Sequence, residues 1–282
     1  MGEHQPHPLD ASIRSASKLL RESEACAPEV LMLLATGASD VAPLLEERHQ
    51  ISLNDLASAP EAWHGQQLIS GSLNGARVWL IEDAPLEDSC SWSRPWPIWL
   101  ARQCGAGRAL LSVGANPLTC APSGTISEGY FFPTDHIALE GSTPLRGLST
   151  SNLGPLFPDQ GAVHDTKARA QILRQAATLG LHCAEGVLAC TLGPTLETPA
   201  EQSFHAAAGA HASAQNTAGL YHAMAHAGLK GATIAPLLGE GSSSIEELLH
   251  AAQRLAPGLL ELIVLGVEVL AVNARADSEV SL

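Results

Sequence analysis

Six short apolar runs, separated by segments of helical periodicity, constrain this chain most strongly. They fall at residues 29–34, 77–82, 109–113, 129–133, 186–191 and 230–237. The turn Ala35-Thr36-Gly37-Ala38-Ser39 closes the first, Gly114 the third and Gly193-Pro194 the fifth. Helical patterns occupy the intervals near 95–104, 165–179, 199–208, 217–227, 245–255 and 259–271. Strands alternating with helices imply an α/β fold: one twisted, mixed but mostly parallel sheet flanked by helices. The whole chain, 1–282, reads as a single domain, with 1–28 as an N-terminal helical extension. Thr198-Pro199-Ala200-Glu201 has the form of a capping box, and Ser243 and Ser244 offer two overlapping helix starts. The Gly/Pro/Ser/Thr-rich stretch 141–161 reads as a structured surface loop. In such sheets ligands gather at the carboxyl ends of the strands, so function is sought in the loops that follow them.

Composition narrows the partners. Hydrophobic residues are 45% of the chain, enough for a sizeable core. Fifteen basic against 29 acidic residues give a net charge of −14, which argues against nucleic acid or an anionic membrane surface as partner. A small anionic substrate stays open, because it needs only a local pocket. The N-terminus has no apolar secretory core. The most apolar stretch, 259–272, is interrupted by Glu261 and Glu268 and is shorter than the roughly 20 residues that span a bilayer. Six cysteines form no CxxC pair, so a reduced, cytoplasmic protein is expected.

Several constellations could carry chemistry. The turn at 35–39 could cradle an anion on its N–H groups, or could be an ordinary strand-to-helix turn. In Gly193-Pro194-Thr195-Leu196-Glu197-Thr198-Pro199-Ala200-Glu201, Glu201 is accounted for by the capping box. Glu197 precedes the cap; it either points into a crevice, to accept N–H groups of a heterocycle, or stands in solvent. Asp135-His136 follows a strand and is either catalytic or a turn-forming pair. Asn216 suits the N-cap of the helix that begins at Thr217. His222 and His226 share a helix face, yet no third ligand accompanies them, so no metal site is expected. Trp92, Trp96 and Trp99 read as helix-core or interface packing. The chain has no GxSxG, Walker or GxGxxG motif.

Taken together, and in order, these residues resemble the trimeric purine nucleoside phosphorylases and methylthioadenosine phosphorylases. The matching pieces are Gly71-Ser72-Leu73-Asn74-Gly75, Asp135-His136-Ile137, Thr143-Pro144-Leu145-Arg146-Gly147 and Phe157-Pro158-Asp159. Glu185-Gly186-Val187, the 193–201 segment, Gly209-Ala210 with Ala212, and His226-Ala227-Gly228-Leu229 complete the set, over roughly 29–270. The resemblance implies a nucleoside phosphorylase-like fold, a homotrimer, a purine-nucleoside-like small-molecule ligand, and no cofactor. The implied reaction is attack of phosphate on C1′ of a nucleoside, releasing base and sugar-1-phosphate. It assigns Glu197 to the base and His64 to the 5′ side of the ribose, as the catalytic pair. Thr36 and Ala115 are assigned to phosphate, Leu196 to packing on the base, and Gln215, Asn216 and Gly239 to the substrate.

The departures from the family pattern are specific. Ala84 and Leu86 stand where the family has its phosphate Arg and His, and Asp88 where it has a ribose-contacting Tyr. Glu82, Asp83, Glu87 and Asp88 surround those positions and would repel an anion. Gln215 replaces a sugar-contacting Met, Asn216 a phosphate-binding Ser, and Gly239 the carboxamide or carboxylate that stabilises the purine N7. Loss of one preorganised transition-state donor costs about 10²–10³ in rate. The substitutions argue against efficient phosphorolysis by the usual route. They leave three expectations: glycosidic cleavage with altered chemistry, a silent ligand- or partner-binding homologue, or a member repurposed for other chemistry in specialised metabolism.

Overall fold

The apolar runs become strands because both of their faces are covered. In the computed structural model, which describes residues 7–35, 39–56, 58–82, 90–118, 127–139, 141, 143–239 and 244–280, ten strands form one sheet. In chain order they are β1 (Val30–Leu34), β2 (Glu46–Ser52), β3 (Gln67–Leu73), β4 (Ala76–Glu82), β5 (Arg108–Ser112), β6 (Asn116–Pro117), β7 (Tyr130–Ala138), β8 (Cys183–Thr191), β9 (Ala212–Gln215) and β10 (Lys230–Pro236). The spatial order is β2-β3-β4-β1-β5-β10-β7-β8-β9-β6. The strands β4, β1, β5 and β10 are mutually parallel, as are β7, β8 and β9. Antiparallel pairing joins β10 to β7, adds β2 and β3 at one edge, and adds β6 at the other.

The helices are α1 (Pro8–Glu22), α2 (Trp96–Gln103), α3 (Thr166–Thr178), α4 (Pro199–Ala207), α5 (Ala218–Ala227) and α6 (Ile245–Val280). Alternate residues of each central strand feed opposite layers, as the two-residue period of a strand requires. Leu31 and Leu33 of β1, with Trp79, Ile81, Ala109 and Leu111, pack under α1, α2 and α5 through Ile13, Trp96, Trp99 and Tyr221. Val30, Met32 and Leu34, with Val78, Leu80 and Leu110, pack under α3 and α6 through Ile172, Leu262, Ile263 and Val267. Each fully buried Val, Leu, Ile or Met among them contributes about 1.5–3 kcal/mol.

Four outcomes depart from the sequence expectations. The edge strands β2 and β3 and the short β6 and β9 were not anticipated; β2 is mostly exposed and polar. β3 and β4 are joined by a hairpin whose Asn74 and Gly75 both have positive φ, the conformation that a two-residue turn of this hand demands. Asp135 and His136 lie within β7, which runs on to Ala138, and do not follow it. The segments 245–255 and 259–271 are one helix, α6, with Pro257 inside it. Its apolar face packs on the sheet on both sides of that proline, from Leu255 to Leu270, and this outweighs the local cost of the ring. At the proline, Tyr130 donates from its hydroxyl to the Leu255 carbonyl (2.6 Å).

Two other elements differ in role. α6 is long and apolar enough to cross a bilayer by length and composition, but half of its apolar window is buried in the protein. α1 is built into the core through Leu9, Ile13 and Leu20. Its Asp10 accepts hydrogen bonds from Ser151 Oγ (2.6 Å) and the Asn152 amide (2.9 Å), and so ties the loop at 151–152 to the helix.

Candidate functional site

The site is built at strand ends. β8 stops at Thr191, and the 193–198 loop leads into α4. The cap forms as expected: Thr198 Oγ1 accepts the Glu201 amide (3.3 Å), and Glu201 Oε2 accepts the Thr198 amide (2.7 Å). β9 ends at Gln215, and its terminal residues hold the loop. Asn216 Oδ1 accepts the Gly193 amide (3.0 Å), the Asn216 amide donates to Thr191 O (2.7 Å), and Gln215 Nε2 donates to Thr195 O (2.8 Å). A Cβ at position 193 would stand 2.4 Å from Gln215 Oε1 and 2.7 Å from Asn216 Nδ2, so those two side chains would have to shift from their bonds to the loop. Asn216 sits at φ 56° and does not cap α5; the N-cap is Thr217, without a side-chain bond.

The loop delivers Glu197 into a small polar network. Its Oε1 lies 2.5 Å from Nδ1 of His205, in the second turn of α4, and its Oε2 accepts a hydrogen bond from Ser213 of β9. The Glu197 side chain is only 8% exposed, so the carboxylate neither stands in solvent nor swings without partners. Two cavities meet at it. One, of about 260 Å³, is lined by Ala35, Gly114, Leu238, Ser213, Asn216 and Arg94, among others, at the ends of β1, β5, β10 and β9. The second, of about 420 Å³, is lined by Leu139, Leu192, Phe204 and His205. Thr191, Leu196 and Glu197 border both.

The other expected site residues divide. Leu196, 42% exposed, borders both cavities, and Gln215 and Asn216 line the smaller one. The amide N–H of Ala115 donates to Pro236 O (3.0 Å), and its side chain is buried. Gly239 follows β10 with φ 156° and adds no polar side chain. His64 closes an exposed turn, its amide donating to Glu61 O. Thr36, Ala84, Leu86 and Asp88 lie outside the described residues.

Three crevice residues were missed by sequence reasoning. His205 has a readable signal, since it falls eight residues after Glu197, two turns into a capped helix. Ser213 and Arg94 have none, because strand register and the turn before α2 place them. Arg94 is the one cation among the described residues that line the smaller cavity.

Four other histidines, His136, His164, His222 and His226, pack among buried or half-buried rings. His136 Nδ1 and His164 Nε2 are 3.1 Å apart, and both rings stack near Tyr221 with centroids 4.7 Å away. His226 Nδ1 accepts from Trp99 Nε1 (3.0 Å), while His222 faces His136. Burial lowers the pKa of His136, His222 and His226, and takes His164 down to about 4. Among the described residues no group of His, Cys, Asp and Glu is placed to hold a metal.

A sheet of this order, with a crevice at the strand ends and a carboxylate on the loop into a capped helix, has the nucleoside phosphorylase-type α/β fold. Residues 130–263 match the Phosphorylase superfamily. The chain is 26% identical over 200 residues to purine nucleoside phosphorylase 1 of Geobacillus stearothermophilus, covering 67% of this chain and 70% of that one. It is 23% identical over 266 residues to purine nucleoside phosphorylase 1 of Bacillus subtilis, covering 89% and 96%. Its fold matches the Schistosoma purine nucleoside phosphorylase solved with hypoxanthine, at a TM-score of 0.84 and 20% identity over 92% of this chain and 96% of that one. The Schistosoma mansoni enzyme solved with adenosine gives 0.82 at 19% identity, over 93% and 96%. Over most of its length the chain is thus similar to purine nucleoside phosphorylases, and it shares their fold.

Proposed function

We propose that this protein binds a purine-nucleoside-like ligand in the crevice at Glu197 and cleaves its N-glycosidic bond, with the pentosyl group passing to an acceptor. Its relatives are purine nucleoside phosphorylases, which supports a function of that kind at the coarse level. The observation that carries the reading is the shielded carboxylate of Glu197, fixed by His205 and Ser213 where two cavities meet. A carboxylate held in this way still has lone pairs to accept ring N–H and amino groups. Leu196 beside it supplies an apolar surface for the ring. The C1′–N bond breaks with its electron pair moving onto the base, so rate depends on how that charge is met. Gly239 brings no side-chain donor to the task, and Ala84 and Leu86 bring none to phosphate. Arg94 is the described cation that an anionic acceptor in the smaller cavity would meet.

The test is incubation of the pure protein with a nucleoside panel, with and without phosphate, and chromatography of the released base. Base release from a purine nucleoside is expected, with at most a weak dependence on phosphate. No release from any nucleoside in either condition would overturn the cleavage reading.

The same substitutions favour a second reading, a ligand-binding homologue without turnover. Calorimetric binding of purines without base release would select it. We propose also that the protein is a homotrimer without a cofactor. Leu139, Leu192 and Phe204 form an exposed apolar rim around the larger cavity, each more than half exposed, which a second copy would cover.

A further inference from the structure

We propose that His205 is a positioning residue that fixes Glu197 as a hydrogen-bond acceptor, so that the site selects heterocycles presenting a ring N–H over those presenting a bare ring nitrogen. The inference rests on the reading that the crevice takes a purine-like base.

The argument starts from donors and acceptors. An ionised carboxylate only accepts, so the 2.5 Å contact from Glu197 Oε1 requires the proton on Nδ1 of His205. Ser213 Oγ donates to Oε2, from β9 on the other side. Both oxygens therefore receive a donor from the protein, and the plane of the carboxylate is set by a helix and a strand that are themselves fixed. The helix is fixed at its start by the Thr198–Glu201 box, and His205 lies in its second turn. The His205 ring is 13% exposed and packs beside Phe204, with centroids 5.6 Å apart, so it has few other places to go.

A charged Glu197 offers only acceptors to its ligand. A ring N–H satisfies it; a ring nitrogen with a lone pair would face it acceptor to acceptor, and a buried unpaired group costs more than a mean hydrogen bond gains. Without His205, one oxygen loses its donor and the side chain regains rotamer freedom, so the carboxylate no longer presents its lone pairs in one direction. Discrimination then falls.

The experiment uses hypoxanthine, which carries a ring N–H beside its carbonyl, and adenine, which carries a bare nitrogen beside its amino group. Calorimetry compares the full-length protein with His205→Leu and His205→Asn, whose amide nitrogen can stand in for Nδ1. Expected is tighter binding of hypoxanthine, a loss of about tenfold or more for hypoxanthine in His205→Leu with adenine little changed, and recovery to within about threefold in His205→Asn. An unchanged hypoxanthine-to-adenine ratio in His205→Leu overturns the proposal. A ligand-free readout runs beside it: ¹⁵N–¹H correlation of the histidine rings at pH 8, with the His205 signal identified by its loss in His205→Asn. The Nδ1–H tautomer is expected, reverting to Nε2–H in Glu197→Leu; Nε2–H in the wild type overturns the proposal. If the wild type binds neither base, the purine reading falls, and the tautomer alone then decides whether His205 positions Glu197.

Discussion

Two histidine clusters in this protein have opposite neighbours. His136, His164 and His222 surround Tyr221, whose hydroxyl hydrogen-bonds Thr233 at 3.0 Å, and none of these residues lines either cavity at Glu197. His205 lines the larger of those cavities and faces a carboxylate. In the first cluster burial outweighs the nearby Asp135 charge and drives the imidazoles toward the uncharged form. In the second a neighbouring acceptor fixes one ring nitrogen as donor. The residue type is the same; its partner and its access to a cavity separate packing from chemistry.

The first cluster is open to the largest disruption. Tyr221 is fully buried, and its ring fills the space between two imidazoles. Tyr221→Ala is expected to lower stability by about 3–5 kcal/mol in urea unfolding, through lost burial and the cavity left behind. A loss under about 1 kcal/mol would show that the cluster is not a packing element.

Acid should act on the same cluster next. The unfolded chain takes up a proton on each histidine near pH 6.5, whereas folded His164 does so only near 4. The stabilisation from holding it neutral is thus complete above about pH 6.5 and is lost as pH falls toward 4. Charge on His136 and Arg169 acts in the same direction, and Asp135 opposes it. The expected loss is about 2–4 kcal/mol between pH 7 and 4.5, read by urea unfolding across that range. His164→Asn should flatten the slope, and an equal slope in that variant would remove the cluster as its cause.

The contrast was only half legible in the sequence. β1, β4, β5 and β10 announced themselves because strands covered on both faces must be apolar throughout. Asp135 and His136 looked like a turn because polar residues in mid-strand are readable only once their neighbours His164 and Tyr221, 28 and 85 positions on, are known. Glu197 stood out by lying just before a cap, and Thr198-Pro199-Ala200-Glu201 fixed where its helix begins. That the carboxylate is held and shielded could not be read. Ser213 reaches it through the pairing of β8 with β9, which the four small or polar residues of β9 do not signal. The acid-rich segment after β4 is a compositional fact that the described residues, which resume at Cys90, do not extend.

The smallest expected effect tests whether the second cluster is separable from the core. Thr198→Ala removes the N-cap of α4 at an exposed position, so the expected cost is about 1 kcal/mol, well below that of Tyr221→Ala. The first turn of α4 would fray without opening the sheet, since Ala206 is the helix's one buried residue. His205 rides on that helix, and Glu197 is the residue before the cap. A small loss of global stability should therefore accompany a larger relative loss of hypoxanthine affinity, measured by calorimetry on the same preparation. If stability falls as far as in Tyr221→Ala, α4 belongs to the core and the two clusters are one cooperative unit. If affinity is unchanged while stability drops by the capping amount, Glu197 is held by Ser213 and the strand alone.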